Sequence, residues 1–206
     1  MTAERFADLA AAVRVTHPRL GDTRLVAVDG PSGAGKTWFA DRLARAAGAP
    51  VVHTDDLLDG WDDQFTFWHR LEESVLSPMR RRTTAAYRRY DWRRGRFGDE
   101  VVRVDPPDVL IVEGVSSARE MIRPELSLSV FVSAPLELRV GRVMERDQGR
   151  DGGHDVAFAA YLERWRRAEA RHFTADGTAT HADLLVDGAA TGDDGRYERL
   201  WRSSPG

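Results

Sequence analysis

The chain has 206 residues, of which 42% are hydrophobic and 31% charged, with a formal net charge of −3. That size supports one domain with a sizeable core, and the charge balance excludes a chain-wide basic footprint for nucleic acid or an anionic membrane. The absence of cysteine excludes a disulfide scaffold and any thiolate zinc site, suits a reducing cytoplasm, and goes with a sequence in which no apolar run approaches membrane-spanning length.

In chain order, Phe6, Leu9, Ala10 and Val13 have helical spacing, which predicts a short amphipathic helix over 4–15. RLVAVDG (24–30) is an apolar run ending in glycine, the pattern of a buried strand. A helix follows from Lys36 to Ala47, stopped by Gly48. PVVHTDD (50–56) reads as a second strand ending in acids. Residues 57–99 are irregular and polar, with one helix expected over 64–76. DVLIVEG (108–114) and LSVFVSA (128–134) are the third and fourth strands. Pro135, well suited to a first helical turn, opens a helix to about Gln148. A glycine-rich loop (149–153), a helix (155–172) and a last strand (182–188) complete the pattern, and the tail, 189–206, reads as loosely held. Apolar strands alternating with helices predict one α/β domain over 1–206, a parallel sheet between two helical layers.

GPSGAGKT, Gly30 to Thr37, contains the chain's only lysine, Lys36; the other basic residues are arginine. The stretch fits G-x-x-x-x-G-K-[ST] between a strand and a helix, the setting of the phosphate-binding loop of P-loop NTPases. Gly30, Gly33 and Gly35, with Pro31, Ser32 and Ala34 between them, let successive backbone N–H groups converge on phosphate oxygens. The helix N-terminus adds partial positive charge. Lys36 brings a compact ammonium to the phosphates, where the larger planar guanidinium fits poorly, and the Thr37 hydroxyl suits Mg²⁺. The nucleotide expected is ATP.

Other phosphate-loop classes lack their residues here. With no asparagine and no second lysine, an N-K-x-D guanine motif cannot exist, no LSGGQ-like signature is present, and the third strand ends in Glu113-Gly114 rather than two acids. A small-molecule kinase remains. Asp55 stands where strand two ends, the side on which parallel sheets place ligands. A carboxylate there can take the proton of an acceptor hydroxyl as phosphate transfers; neighbouring Asp56 is an alternative. Glu113 is placed to reach Mg²⁺, and Asp55 joins Thr37 and Glu113 as a candidate metal-associated residue. Arg139, Arg142 and Arg146 share a helix face before the glycine-rich loop and suit charge stabilisation on a moving phosphoryl group. Arg150 is a further candidate on that loop, and 149–154 reads as a lid.

The ordered set DGPSGAGKT, TDD, RYDW (89–92), DVLIVEG, LRVGRVMERD (138–147) and HADLLV (181–186) resembles the uridine kinase family, in the group that includes phosphoribulokinase and bacterial pantothenate kinase. The resemblance runs from about residue 24 to 188. It implies a three-layer α/β/α fold on a five-stranded parallel sheet, and ATP with Mg²⁺ phosphorylating a hydroxyl of a small molecule. By motif, Asp55 falls on the catalytic base, Glu113 on the metal-associated acid, Tyr90 and Asp91 on the Tyr-Asp pair of the nucleoside-binding hairpin, and Arg139, Arg142 and Arg146 in the arginine-bearing helix and lid. The sequence departs from the family at Gly95, where uridine kinases carry a histidine, and at Leu57 and Leu58, which stand for an aromatic pair.

Residues 57–99 are expected to form the acceptor-binding subregion, with Trp92 and Arg96 beside Tyr90 and Asp91. Eight arginines from Arg80 to Arg96 fit a solvated face, an anionic acceptor, or single-stranded nucleic acid read with the interleaved aromatics, the acidic remainder of the chain opposing the last. Trp61, Trp68 and Trp92 could stack on a flat acceptor ring. Two rival readings stay open: a nucleotide-dependent regulatory protein without phosphotransfer, and an antibiotic- or sugar-modifying kinase of the same fold. A homo-oligomer is compatible with each.

Overall fold

The apolar runs become adjacent parallel strands in a computed structural model, which describes residues 2–147, 156–190 and 195–202. β1 (Thr2–Arg5) leads into α1 (Phe6–Val15), then β2 (Arg24–Asp29), α2 (Lys36–Ala47) and β3 (Val51–His53). α3 (Trp68–Leu71) continues through a π-helical turn (Glu72–Leu76) into α4 (Ser77–Arg80). β4 (Ala85–Asp91) and β5 (Arg96–Val104) pair as a separate antiparallel hairpin. β6 (Val109–Glu113), β7 (Leu126–Ser133), α5 (Leu136–Asp147), α6 (Val156–Asp176), α7 (Thr178–His181), β8 (Leu184–Asp187) and β9 (Arg196–Arg202) follow.

The main sheet has the order β1-β9-β8-β7-β2-β6-β3. Its members β8, β7, β2, β6 and β3 are mutually parallel, the five-stranded parallel core expected. Side chains alternate across each strand, so the central strands feed two cores. Val26, Val28, Val109 and Ile111 pack with Phe6, Leu9, Phe39 and Leu43 of α1 and α2. Leu25, Ala27, Leu110 and Val112 pack on the other face with Trp68, Leu71, Leu76 and Met79. Continuous apolar runs are what a sheet covered on both faces requires. No helix among the described residues is long and apolar enough to cross a membrane.

Three expectations change. The helix expected over 64–76 starts later, at Trp68, and with its π turn reaches Arg80. The stretch read as otherwise irregular to residue 99 contains most of the β4–β5 hairpin. The tail read as loosely held supplies β9, which pairs antiparallel with β8 and accepts β1 on its far side. Charge hid β1 and β9. Glu4 pairs with Arg199 at 2.7 Å and accepts a hydrogen bond from Tyr197 Oη at 2.5 Å, so polar residues knit the two ends of the chain. Tyr197 itself is 2% exposed and its ring meets Phe6 and Phe39 at 5.1 and 5.3 Å. The expected lid, 149–154, lies outside the described residues.

The buried tyrosine makes the C-terminal strand part of the core. Tyr197→Ala is expected to lower stability by about 3–5 kcal/mol, the cost of truncating a large buried ring, measured by urea unfolding. A loss below about 1 kcal/mol, typical of a surface position, would mean β9 contributes little to the folded domain.

Candidate active site

Gly30 to Gly35 form the turn between β2 and α2, at the carboxyl end of the sheet. The turn is packed hard. A Cβ on Gly33, whose φ is +75°, would overlap the Arg139 carbonyl of α5, and Ala34 is fully buried. Lys36 opens α2, only 8% exposed, with its Nζ donating to the Pro31 carbonyl at 3.2 Å. The loop is also pinned from outside. Arg142 Nη1 donates to the carbonyls of Gly33 (3.3 Å) and Gly188 (2.8 Å), tying it to the exit of β8. Ser32 gives its backbone N–H (3.1 Å) and its hydroxyl to Glu169, a carboxylate 2% exposed on α6.

Two acids complete the site because a glycine permits it. Gly114, at φ +142°, follows β6, and a Cβ there would overlap Thr54 Oγ1. The close approach sets Glu113 and the Thr54–Asp56 turn side by side. Glu113 accepts from Thr37 Oγ1 at 3.3 Å and shares a 2.7 Å hydrogen bond with His53 Nδ1. Asp55 is reached by solvent through the cleft but crowded by protein elsewhere. That crowding, with the Glu113 charge, raises its pKa; Lys36, Arg146 and His53 oppose the rise. Asp56 turns away to an ion pair with Arg89 at 3.2 Å. Behind both acids, buried Asp29 accepts the N–H groups of Gly30 (2.7 Å), Ser116 (2.9 Å) and Ala118 (2.9 Å). Burial pushes its pKa up to about 6 against those donors.

One cavity of about 200 Å³ collects these groups. At one end stand Ser32, Gly33, Gly35, Lys36 and Thr37, with Arg142 and Arg146. Asp55 and Glu113 line the cavity too, with Leu58, Trp61, Trp92, Tyr161 and Trp165, the last of which donates to Ser32 Oγ at 3.3 Å and so borders the phosphate loop. Of the motif-matched arginines, Arg139 stands apart: its Nε donates to the Ala134 carbonyl, and its side chain lines a separate cleft with Leu136 and Arg166. Tyr90, Asp91 and Arg96 do not line the main cavity. Tyr90 packs against Trp92 and Phe97, Asp91 caps the hairpin turn by accepting from the N–H groups of Arg93 and Arg94, and Arg96 pairs across the hairpin with Asp91. Trp68, expected as a stacking surface, is instead a core residue, 5% exposed and donating to the Ser116 carbonyl. Arg150 lies outside the described residues.

The oxygens suit a hard cation. Thr37 Oγ1 and the Glu113 carboxylate are in contact and Asp55 shares their cavity. No group of three or more His, Cys, Asp or Glu among the described residues could hold a metal alone. Mg²⁺ is commonly bound this way, by one or two side chains with phosphates and water supplying the rest.

Asp29, Glu169, Tyr161 and Trp165 were missed in the sequence. The last three carried a signal. At positions 161, 165 and 169 they repeat every fourth residue within the expected helix, and so share one face. Asp29 carried a weaker one, a lone acid closing an apolar strand.

Comparison with known proteins bears on the fold. No family model matches the chain. A uridine kinase of Borrelia duttonii is 23% identical over 188 residues, covering 84% of this chain and 91% of the relative. Among solved structures, a protein assigned as a fructose transport system kinase, from Silicibacter, superposes with a TM-score of 0.65 at 22% identity, over 85% of this chain and 95% of that one. D-glycerate 3-kinase from Cryptococcus neoformans gives 0.59 at 14% identity, over 95% and 99%. The chain is thus similar to uridine kinases along most of its length, as the motif order implied, and its fold is shared with kinases of differing name.

The His53–Glu113 contact can be tested directly. The hydrogen bond to Glu113 raises the His53 pKa, burial pulling the other way. A raised histidine pKa stabilises the fold fully below the ordinary value of about 6.5, and that contribution is lost as pH rises through the folded value. Glu113→Gln is expected to move the His53 midpoint downward in an NMR titration of the ring and to flatten this part of the stability–pH curve. An unmoved midpoint would show that the contact does not hold in solution.

Proposed function

We propose that the protein is an ATP-dependent phosphotransferase that moves the γ-phosphate to a hydroxyl of a small molecule. The observation that carries the reading is the meeting of Lys36, Thr37, Asp55 and Glu113 in one cavity, which the phosphate loop lines together with a set of aromatic side chains. A protein that used nucleotide only as a switch would not need a carboxylate between the two.

In this reading the N–H groups at the start of α2 and the Lys36 ammonium hold the phosphates. Arg142 fixes the loop by its carbonyls, and Arg146 faces the transferring group. Thr37 and Glu113, with Asp55 nearby, would hold Mg²⁺, which when bound would neutralise charge on the phosphate oxygens. Asp55 orients the acceptor hydroxyl and takes its proton as the new oxygen–phosphorus bond forms and the bond to the departing ADP breaks. Leu58, Trp61 and Trp92, from the 57–99 subregion, wall the acceptor end together with α6. They exclude water that would otherwise hydrolyse ATP. The setting is taken to be cytoplasmic.

Two measurements test this. Asp55→Asn should lower acceptor-stimulated ADP release by about 10²–10⁴-fold, the range for loss of a general base, while ATP affinity stays within a few fold. Lys36→Ala should weaken ATP binding itself. In the unmodified protein, activity should fall as pH drops through the Asp55 pKa. Because that pKa is raised, the acidic limb should lie above the ordinary aspartate value of about 3.9. Near-normal turnover by Asp55→Asn would remove Asp55 as the base.

A further inference from the structure

The acceptor end of the cavity has walls of an unusual kind. Trp61 and Trp92 meet at 4.7 Å between ring centroids, Trp61 and Tyr161 at 5.2 Å, and Trp61 and Trp165 at 5.6 Å. Their polar atoms are largely committed to the protein. Trp92 Nε1 donates to the Asp55 backbone carbonyl at 3.3 Å, Tyr161 Oη to the Trp61 carbonyl at 3.0 Å, and Trp165 Nε1 to Glu169 Oε1 at 3.0 Å. These three rings therefore offer the cavity apolar surface rather than hydrogen-bonding edges. Leu58 and Val115 fill the remaining wall.

Neither a sugar nor the edge of a base finds its usual partners here. Among the described residues, no Asn, Gln or His lines the cavity. A buried hydroxyl or amide without a hydrogen bond is costly, and a polyhydroxylated ring would have to find its bonds from the charged groups already committed to the phosphates and the reacting hydroxyl. An anionic body fares no better. The arginine-rich stretch is turned elsewhere: Arg80 bridges Glu72 and Glu125, Arg82 pairs with Asp22, Arg89 with Asp56 and Arg94 with Asp91. Only Trp92 of residues 80–96 reaches the cavity, and the acids there, Asp55 and Glu113, repel an anion. Of the cavity's cations, Lys36 and Arg142 are bonded to the phosphate loop, and the charge of Arg146 acts on Asp55.

We infer that the acceptor is an uncharged alcohol with a flat apolar body, held by ring-face contact with Trp61, Trp92, Tyr161 and Trp165 while its hydroxyl faces Asp55. The role of the hydroxyl rests on the phosphotransfer reading; the seating of the ring does not.

Calorimetry with a non-hydrolysable ATP analogue and Mg²⁺ present tests the inference, using 2-phenylethanol against uridine, fructose and glycerate. The aromatic alcohol should bind at least about tenfold tighter than the other three. Trp92→Ala should weaken it about tenfold, the scale of one lost aromatic stack. Trp92→Phe, which keeps a ring face and loses the N–H, should restore most of the affinity. Circular dichroism would confirm that both variants fold. Tighter binding of any of the three polar compounds, no binding of 2-phenylethanol, or an alanine variant that binds it normally would each overturn the inference. ADP release from ATP separates this outcome from the fate of the kinase reading. Tight binding of 2-phenylethanol without phosphoryl transfer in the unmodified protein would leave the ring site standing and count against phosphotransfer. Transfer to fructose or uridine, with 2-phenylethanol unbound, would do the reverse.

Discussion

The cleft depends on one buried carboxylate. Asp29 closes β2 and accepts three backbone N–H groups, one from the first residue of the phosphate loop and two from the segment that leaves β6. The two strands that carry Lys36 and Glu113 into the site are therefore locked at their exits as well as along their ladder. The same carboxylate holds Ser116 at φ +68°, a left-handed conformation that a non-glycine residue adopts only under constraint. Trp68 in turn donates to the Ser116 carbonyl, so the lock is continuous with the core beneath α3. Without it, three N–H groups lose their acceptor in a place water does not reach. Each such loss costs about 1–3 kcal/mol, and the relative positions of phosphate loop and metal-associated acid lose their fixing.

Charge is distributed on the same logic. Crowding by surrounding protein and the Glu113 carboxylate work against ionisation of Asp55, while Lys36, Arg146 and His53 favour it. A carboxylate whose pKa is raised above the ordinary aspartate value is a stronger base when ionised, which suits proton removal from an alcohol. The lone lysine and the many arginines have different duties. Lys36 fits inside a closed turn where its ammonium reaches a carbonyl of the loop itself. Arg142 holds that turn from outside, one nitrogen, Nη1, donating to the carbonyls of Gly33 in the loop and Gly188 just past β8.

What could be read beforehand followed from how local each signal is. The phosphate loop, its flanking strand and helix, and the acids at the ends of β3 and β6 are marked by a few adjacent residues, and the structure brings them together. Strands β1 and β9 were hidden because charged residues interrupt their apolar pattern and are satisfied across the chain's two ends, Glu4 by Arg199 and by the Tyr197 hydroxyl. The aromatic wall was half legible. Trp61 and Trp92 stood in the expected acceptor region, whereas Tyr161 and Trp165 come from beyond the glycine-rich loop and join them only through the tertiary fold. Trp68 shows the opposite error: a tryptophan near the right place in sequence, but on the face of its helix that enters the core.

The two ends of the cavity are built to different tolerances. The phosphate end is made by backbone, with glycines that admit no Cβ and carbonyls held by Arg142, so few substitutions are compatible with it. The aromatic wall is made by side chains from separate segments of the chain, yet its members are not equally free to change. Trp165 shares the Glu169 carboxylate with Ser32 of the phosphate loop. A residue there that abandoned the contact would leave a buried carboxylate short of a donor and disturb the loop it holds. Trp92 sits at the tip of the hairpin and Trp61 in a short turn, neither bonded to the phosphate loop. Change in acceptor preference is therefore cheapest at Trp61 and Trp92, where a new shape alters what the ring faces meet without moving the phosphate loop.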